Sequence, residues 1–282
     1  MIRPVRSVLY IPGSKLRALE KAKDLDADAI IFDLEDAVAP DEKAAARDTL
    51  LRFLNDEDYG QRLRIVRING FDTPWGRADA AAFGGLSAAD AVLVPKVNGP
   101  ADLDAVAAIT GGKPLWAMME TALGMLNAAV IAAHPRLQGM VMGTNDLAKD
   151  MGSRFRPDRL PLMAGLGLCL LAAKAHGRLI VDGVYTAFKD EAGLQAECAQ
   201  GRDMGFDGKT LVHPAQLAIA NAAFAPTDDE IALARRQIAA FNEAQRAGQG
   251  VAVVDGRIVE NLHVVTAQAT LARAEAIAAL AV

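Results

Sequence analysis

Eight short runs rich in Val, Ile, Leu and Met recur along the chain, each followed by a polar turn and then a stretch with helical spacing. Runs that are apolar at nearly every position, rather than at every second one, are the pattern of parallel strands buried on both faces. They occupy residues 7–12, 29–34, 64–69, 91–96, 115–120, 138–143, 179–184 and 209–213, with helical stretches between them such as 14–25, 40–54, 100–109 and 191–204. Eight such alternations predict an α/β fold, a (β/α)8 TIM barrel. Beyond residue 223 the pattern changes to a charged helix over 227–247, then Gly248-Gln249-Gly250, a short Val-rich piece and a final helix over 266–281. The chain therefore reads as a barrel domain, 1–223, and a C-terminal helical extension, 224–282, that would cover its own active site, cover a neighbour's, or cap the barrel.

A chain of 282 residues with 52% hydrophobic and 23% charged side chains can bury a core of that size. Its net charge of -5 offers no basic footprint for nucleic acid, while leaving room for a local basic pocket. Cys169 and Cys198 belong to no CxxC or Cys/His cluster, so a reducing cytoplasm is expected and a disulfide framework is not. The first seven residues lack the apolar stretch of a signal peptide, and the longest uncharged run, 160–173, is too short to span a bilayer. A soluble protein without nucleic-acid or membrane partners is the expectation.

In such barrels chemistry gathers at the C-terminal ends of the strands. The polar residues there are Asp33, Glu35 and Asp36 after strand two, Arg67 and Asn69 after strand three, Lys96 after strand four and Glu120 after strand five. Asn145 and Asp146 follow strand six, Asp182 strand seven and His213 strand eight. Glu120 is the only ionisable side chain between Leu115 and Ala133, and a carboxylate in apolar surroundings costs several kcal/mol without a counter-charge. Hard divalent cations favour carboxylate oxygen, and Mg2+ takes one or two protein carboxylates with water and substrate completing the shell. Glu120 and Asp146 fit that role; otherwise Glu120 pairs with a core cation and Asp146 caps the next helix.

Arg67 lies in the apolar segment Ile65-Val66-Arg67-Ile68, and its planar fork suits a substrate carboxylate. An ion pair with Glu35 or Asp36 is the alternative, and the two roles can coexist. Lys96 is a conceivable Schiff-base lysine, but nearby carboxylates favour a charged, paired ammonium. His213 is an acid, a base or a hydrogen-bonded rim residue. Lys15, Arg17 and Lys21 lie near a helix start that Ser14 would cap, where phosphates are favoured; a solvated charged face is the alternative.

These residues resemble the citrate lyase beta-subunit-like (CitE-like) branch of the HpcH/HpaI aldolases, which includes malyl-CoA and citramalyl-CoA lyases. The signs are 6–13, Arg-Ser-Val-Leu-Tyr-Ile-Pro-Gly; 33–40, Asp-Leu-Glu-Asp-Ala-Val-Ala-Pro, with Lys43 and Arg47; Arg67-Ile68-Asn69; Pro95-Lys96-Val97; Glu120-Thr121; 143–147, Gly-Thr-Asn-Asp-Leu; and 205–209, Gly-Phe-Asp-Gly-Lys, before His213-Pro214. The resemblance spans nearly the whole chain. It implies a Mg2+ site at Glu120 and Asp146 and substrate binding by Arg67. Asn145, Lys15 and His213 are expected as further substrate contacts, and Arg67, Glu35 and Asp36, with Glu260, as catalytic residues. The resemblance also implies an acid from a neighbouring subunit's C-terminal segment, in a pattern like Gly-x-Met-Ile-Asp-x-Pro. Here that segment reads 256–262, Gly-Arg-Ile-Val-Glu-Asn-Leu, so Glu260 stands in place of the Asp and Leu262 of the Pro.

The expected activity is a Mg-dependent carbon-carbon lyase that cleaves a malyl-, citramalyl- or citryl-type CoA thioester to an acyl-CoA and a 2-oxo acid, or runs the reverse condensation. The other readings are a hydroxyacyl-CoA thioesterase, a subunit of a citrate lyase complex, and a non-catalytic acyl-CoA or 2-oxo acid binding protein. The expected partners are small molecules, an acyl-CoA and a 2-oxo acid, and further copies of the chain as a homo-oligomer, a trimer or hexamer.

Overall fold

The computed structural model describes residues 3–280. Met1, Ile2, Ala281 and Val282, which the readings of the chain start and of the final helix touch, lie outside the described residues. The chain divides into two compact units, 5–224 and, among the described residues, 3–4 with 225–280.

Unit 5–224 is the predicted (β/α)8 barrel. Its strands are β1 (Ser7–Pro12), β2 (Ala29–Asp33), β3 (Leu63–Arg67), β4 (Ala91–Val94), β5 (Leu115–Met119), β6 (Leu137–Met142), β7 (Leu179–Asp182) and β8 (Gly208–Leu211). They are parallel, pair in sequence order, and close through β8 on β1. β4 is shorter than its apolar run suggests because Pro95 has no N–H to continue the ladder.

Side chains alternate across each strand, so β1 to β7 serve two cores, while β8 gives Leu211 to the outer one. One set, including Leu9, Phe32, Val66, Val92, Met119, Met140 and Ile180, packs outward under the helices. The other set, Val8, Ile31, Ile65, Leu93, Trp116, Val141 and Val181, fills the barrel interior. Trp116 is fully buried there, and it fits because position 139 has no side chain. A Cβ on Gly139 would lie 2.7 Å from three ring atoms of Trp116. Continuing the inward alternation one step from Val8, Ile31, Ile65 and Met118 leads to Tyr10, Asp33, Arg67 and Glu120. The site's floor is thus the top layer of the barrel's own interior.

Unit 225–280 is built on two helices, Asp228–Arg246 and Asn261–Leu280. The first begins at a capping box in which Thr227 accepts from the Glu230 N–H and the Glu230 carboxylate accepts from the Thr227 N–H at 2.7 Å. The Val-rich piece is an antiparallel hairpin of β9 (Ala252–Val254) and β10 (Arg257–Val259). Its turn, Asp255-Gly256, has positive φ at both residues, the geometry Asp-Gly favours. Phe241, Ala244, Ala252, Val259 and Val264 form this unit's core. No described helix is long and apolar enough to cross a membrane.

Candidate active site

The β2–β3 register places Asp33 beside Arg67. The guanidinium meets Asp33 through both prongs, Nε donating to Oδ1 at 2.7 Å and Nη2 to Oδ2 at 2.6 Å. Its remaining nitrogen, Nη1, lies 2.8 Å from Glu35 Oε2 and donates to Asp36 Oδ2 at 3.3 Å. The contact to Glu35 is close but not aligned as a hydrogen bond, which leaves Glu35 Oε2 without one. The guanidinium carbon also sits 5.2 Å from the Tyr10 ring centre. Burial works against the charge on Arg67, but the neighbouring Asp33 outweighs it and holds the pKa well above the usual arginine range. The pairing considered from sequence, with Glu35 or Asp36, is therefore secondary to Asp33. Only Nη1 faces partners that a substrate carboxylate could replace.

Lys96 links the cluster to Glu120. It stands just past β4 in a left-handed backbone conformation, φ 48°, uncommon for a residue with a side chain. There its backbone N–H donates to Glu120 Oε1 at 2.7 Å, while its Nζ donates to Glu35 Oε1 at 2.5 Å. Burial tends to lower the ammonium's pKa, but the Glu35 hydrogen bond and surrounding carboxylates raise it overall. A charged, paired lysine results, and the Schiff-base role loses its chemical basis. Glu35 has a raised pKa, because burial exceeds the stabilisation from Arg67 and Lys96.

Glu120 is 1% exposed, and its Oε2 is buried with no hydrogen-bond partner. Burial first, and the charge of Glu35 second, push its pKa from 4.5 to about 7. Its carboxylate packs on Gly143 at the end of β6, where a Cβ would lie 2.7 Å from Oε2. Asp146 follows in the first turn of the helix Thr144–Asp150. Gly143, not Asp146, is that helix's cap, so the capping alternative fails. The Asp146 carboxylate has no hydrogen-bond or ion-pair partner among the described residues. No group of three or more His, Cys, Asp or Glu arranged to hold a metal occurs among the described residues. One orphaned buried carboxylate oxygen and one unpaired carboxylate nonetheless suit a hard cation that draws its other ligands from water and substrate.

A cavity of about 590 Å³ opens beside the Glu35 and Lys96 side of this cluster, lined by Glu35, Asp36, Asn69, Trp75, Lys96 and Thr121 among others. The other residues singled out from sequence do not line this cavity. Asn145 is exposed and lines a second cavity with Thr144. Lys15 is exposed and is itself the cap position of the short helix Leu16–Ala22; Ser14 does not cap it, and its hydroxyl is buried without a partner. His213 is exposed, accepts from the Ala215 N–H at 3.1 Å and stacks on Phe188 at 4.6 Å. Glu260 lies exposed in unit 225–280, its backbone N–H donating to His263 Nδ1 at 3.0 Å. Sequence reasoning missed Tyr10 and the tie from the Lys96 backbone to Glu120. Tyr10 carried a signal, its inward parity with Val8.

Fold and rim together define a class, a (β/α)8-barrel enzyme. Residues 6–214 match the HpcH/HpaI aldolase/citrate lyase family, and the chain belongs to it. It is 74% identical to a protein of Cereibacter sphaeroides named (3S)-malyl-CoA thioesterase, over 98% of this chain and 96% of that one. A second C. sphaeroides protein, named L-malyl-CoA/beta-methylmalyl-CoA lyase, is 35% identical over 98% of this chain and 96% of its own. Among solved structures, CitE from Mycobacterium tuberculosis in complex with magnesium, acetoacetate and coenzyme A superposes with a TM-score of 0.80. It is 31% identical and covers 97% of this chain and 100% of that one. These likenesses bear out the CitE-like resemblance and correct the expected activity. The highly similar relative is named for hydrolysis of a thioester, and the lyase stands at half that identity. Relatives named for both activities match nearly the whole chain, so the resemblance alone did not separate them.

Proposed function

We propose that this protein hydrolyses the thioester of a (3S)-malyl-CoA-type substrate, with Mg2+ held by Glu120 and Asp146. The observation that carries the reading is the 74% identity, over 98% of the chain, to a protein named for that reaction. The magnesium and coenzyme A in the M. tuberculosis CitE crystal support the cofactor and the substrate class. Bound magnesium would supply Lewis-acid polarisation of substrate oxygens. In hydrolysis a water oxygen bonds to the thioester carbonyl carbon, the C–S bond breaks, and the sulfur leaves as a thiolate that takes up a proton to become the thiol.

The chain's own residues provide the rest. Arg67, held flat by Asp33, offers Nη1 to a substrate carboxylate in exchange for Asp36. Glu35, whose pKa burial raises, accepts the proton of the attacking water. Lys96 and Arg67 on either side of Glu35 then hold the proton-bearing group in place. Glu260 enters through the resemblance alone, as a further acid or base. Leu126, Val130, Leu168 and Leu171, exposed on barrel helices, support self-association. The cytoplasm fits two buried free cysteines.

The test is to incubate purified protein with Mg2+ and (3S)-malyl-CoA and to assay thiol, malate and 2-oxo acid together. The expected result is equimolar free thiol and malate with no 2-oxo acid. Formation of a 2-oxo acid with an acyl-CoA, without free thiol, overturns the proposal.

A further inference from the structure

Away from Arg67 and Glu120, a second ionic cluster lies wholly inside the barrel unit. Asp182 at the end of β7 and Lys209 in β8 are fully buried, and Arg159 is 5% exposed. Arg159 Nη1 donates to both Asp182 oxygens at 2.6 and 2.8 Å, and its Nε to Gln200 Oε1 at 2.7 Å. Lys209 Nζ donates to Glu197 Oε1 and to the Gly183 carbonyl, each at 2.6 Å. Two cations thus meet two carboxylates, and no acceptor remains for Arg159 Nη2, which is buried and unpaired. Arg159 also holds a left-handed backbone, φ 52°. A buried guanidinium nitrogen without an acceptor is expensive, and native structures rarely keep one unless something binds there.

Arg159 lines a cavity of about 540 Å³ together with Arg154, Arg156, Phe155 and Tyr185. Glu197 is the one acidic residue in that lining, and it is already engaged by Lys209. The cavity beside Glu35 and Lys96 has a more acidic lining, with Glu35, Asp36, Asp72 and Asp102 against Lys43 and Lys96. The volume lies in the range that holds a small organic ligand.

We propose that this cavity binds the carboxylate or phosphate of an organic anion, with Arg159 Nη2 and Arg154 as donors and Phe155 and Tyr185 against its apolar body. The anion has two sources. One is the coenzyme A portion of the substrate proposed above, since Thr144 and Asn145 line the cavity and adjoin Asp146. The other is a free carboxylate or phosphate that binds beside the catalytic cluster.

Calorimetry on the full chain in EDTA, with coenzyme A, inorganic phosphate and L-malate as separate probes, reads binding without turnover. A failure of the hydrolysis proposal therefore leaves this test intact. At least one probe is expected to bind the wild type, and Arg154→Glu is expected to weaken it at least tenfold. Arg159→Gln tests the buried donor and is interpreted only if its thermal midpoint shows it folded; Arg154 is exposed, so its variant carries the test in either case. Loss of coenzyme A binding with a raised KM and unchanged kcat for the thioester identifies the substrate as the source. Loss of phosphate or malate binding with KM unchanged identifies a free anion. The proposal is overturned if no probe binds, or if Arg154→Glu binds as the wild type does.

Discussion

Replacing Glu120 by Gln isolates the energetic cost of a buried carboxylate awaiting its cation. The side chain is 1% exposed and its pKa rises from 4.5 to about 7. A carboxyl whose folded pKa exceeds its unfolded value binds an extra proton in the folded state between those two values. Its contribution to stability is therefore full below the lower value and is lost as pH rises through about 7. A rise of this size corresponds to about 3 kcal/mol of destabilisation once the group is ionised. Gln keeps an oxygen to accept the Lys96 N–H but buries an amide nitrogen where Oε2 has no partner, a cost of about 1–2 kcal/mol. In EDTA at pH 8, Glu120→Gln should be more stable than the wild type by about 1–2 kcal/mol, or several degrees of thermal midpoint. At pH 5, where Glu120 is mostly neutral, the order should reverse. Saturating Mg2+ at pH 8 should raise the wild-type midpoint and leave the variant's unchanged. Parallel wild-type and variant curves from pH 5 to 8 in EDTA would refute the burial argument, and equal magnesium shifts would refute Glu120 as a ligand.

Arg67→Lys should lower kcat/KM for the thioester by at least about 100-fold, because an ammonium cannot hold both Asp33 oxygens and still offer a donor to substrate; an unchanged KM removes its carboxylate role. Gly139→Ala should cost about 1–3 kcal/mol in denaturant unfolding, since the added methyl meets the Trp116 ring; a stability equal to wild type would mean the interior has slack there. Glu260→Gln should reduce kcat with its folding transition unchanged, and undiminished turnover excludes Glu260 as an acid or base.

The barrel was legible because a strand buried on both faces must be apolar at successive positions, which leaves a mark of length and composition that helices do not imitate. Glu120 was legible for the same reason, as a lone charge in such a run. What stayed hidden depended on register. Asp33, Glu35 and Asp36 are equivalent in sequence as partners for Arg67, and only the pairing of β2 on β3 selects Asp33. The left-handed turn at Lys96 left no sign, since lysine is not a residue that favours that conformation. The hairpin at 252–259 was passed over because each strand has three residues, too few for a periodic pattern, although Asp255-Gly256 is a turn signal. The Arg159 cluster needed residues from four separate segments to converge.

Because Tyr10, Asp33, Arg67 and Glu120 continue the stacking of the interior, this rim has little freedom to drift. Widening the pocket from below would mean repacking around Trp116, and a one-residue slip of β2 against β3 would turn Asp33 away from Arg67. Variation in which acyl group is accepted must then be written in the loops that follow the strands. The reacting floor behaves as a fixed platform, inherited with the barrel's packing rather than adjusted apart from it.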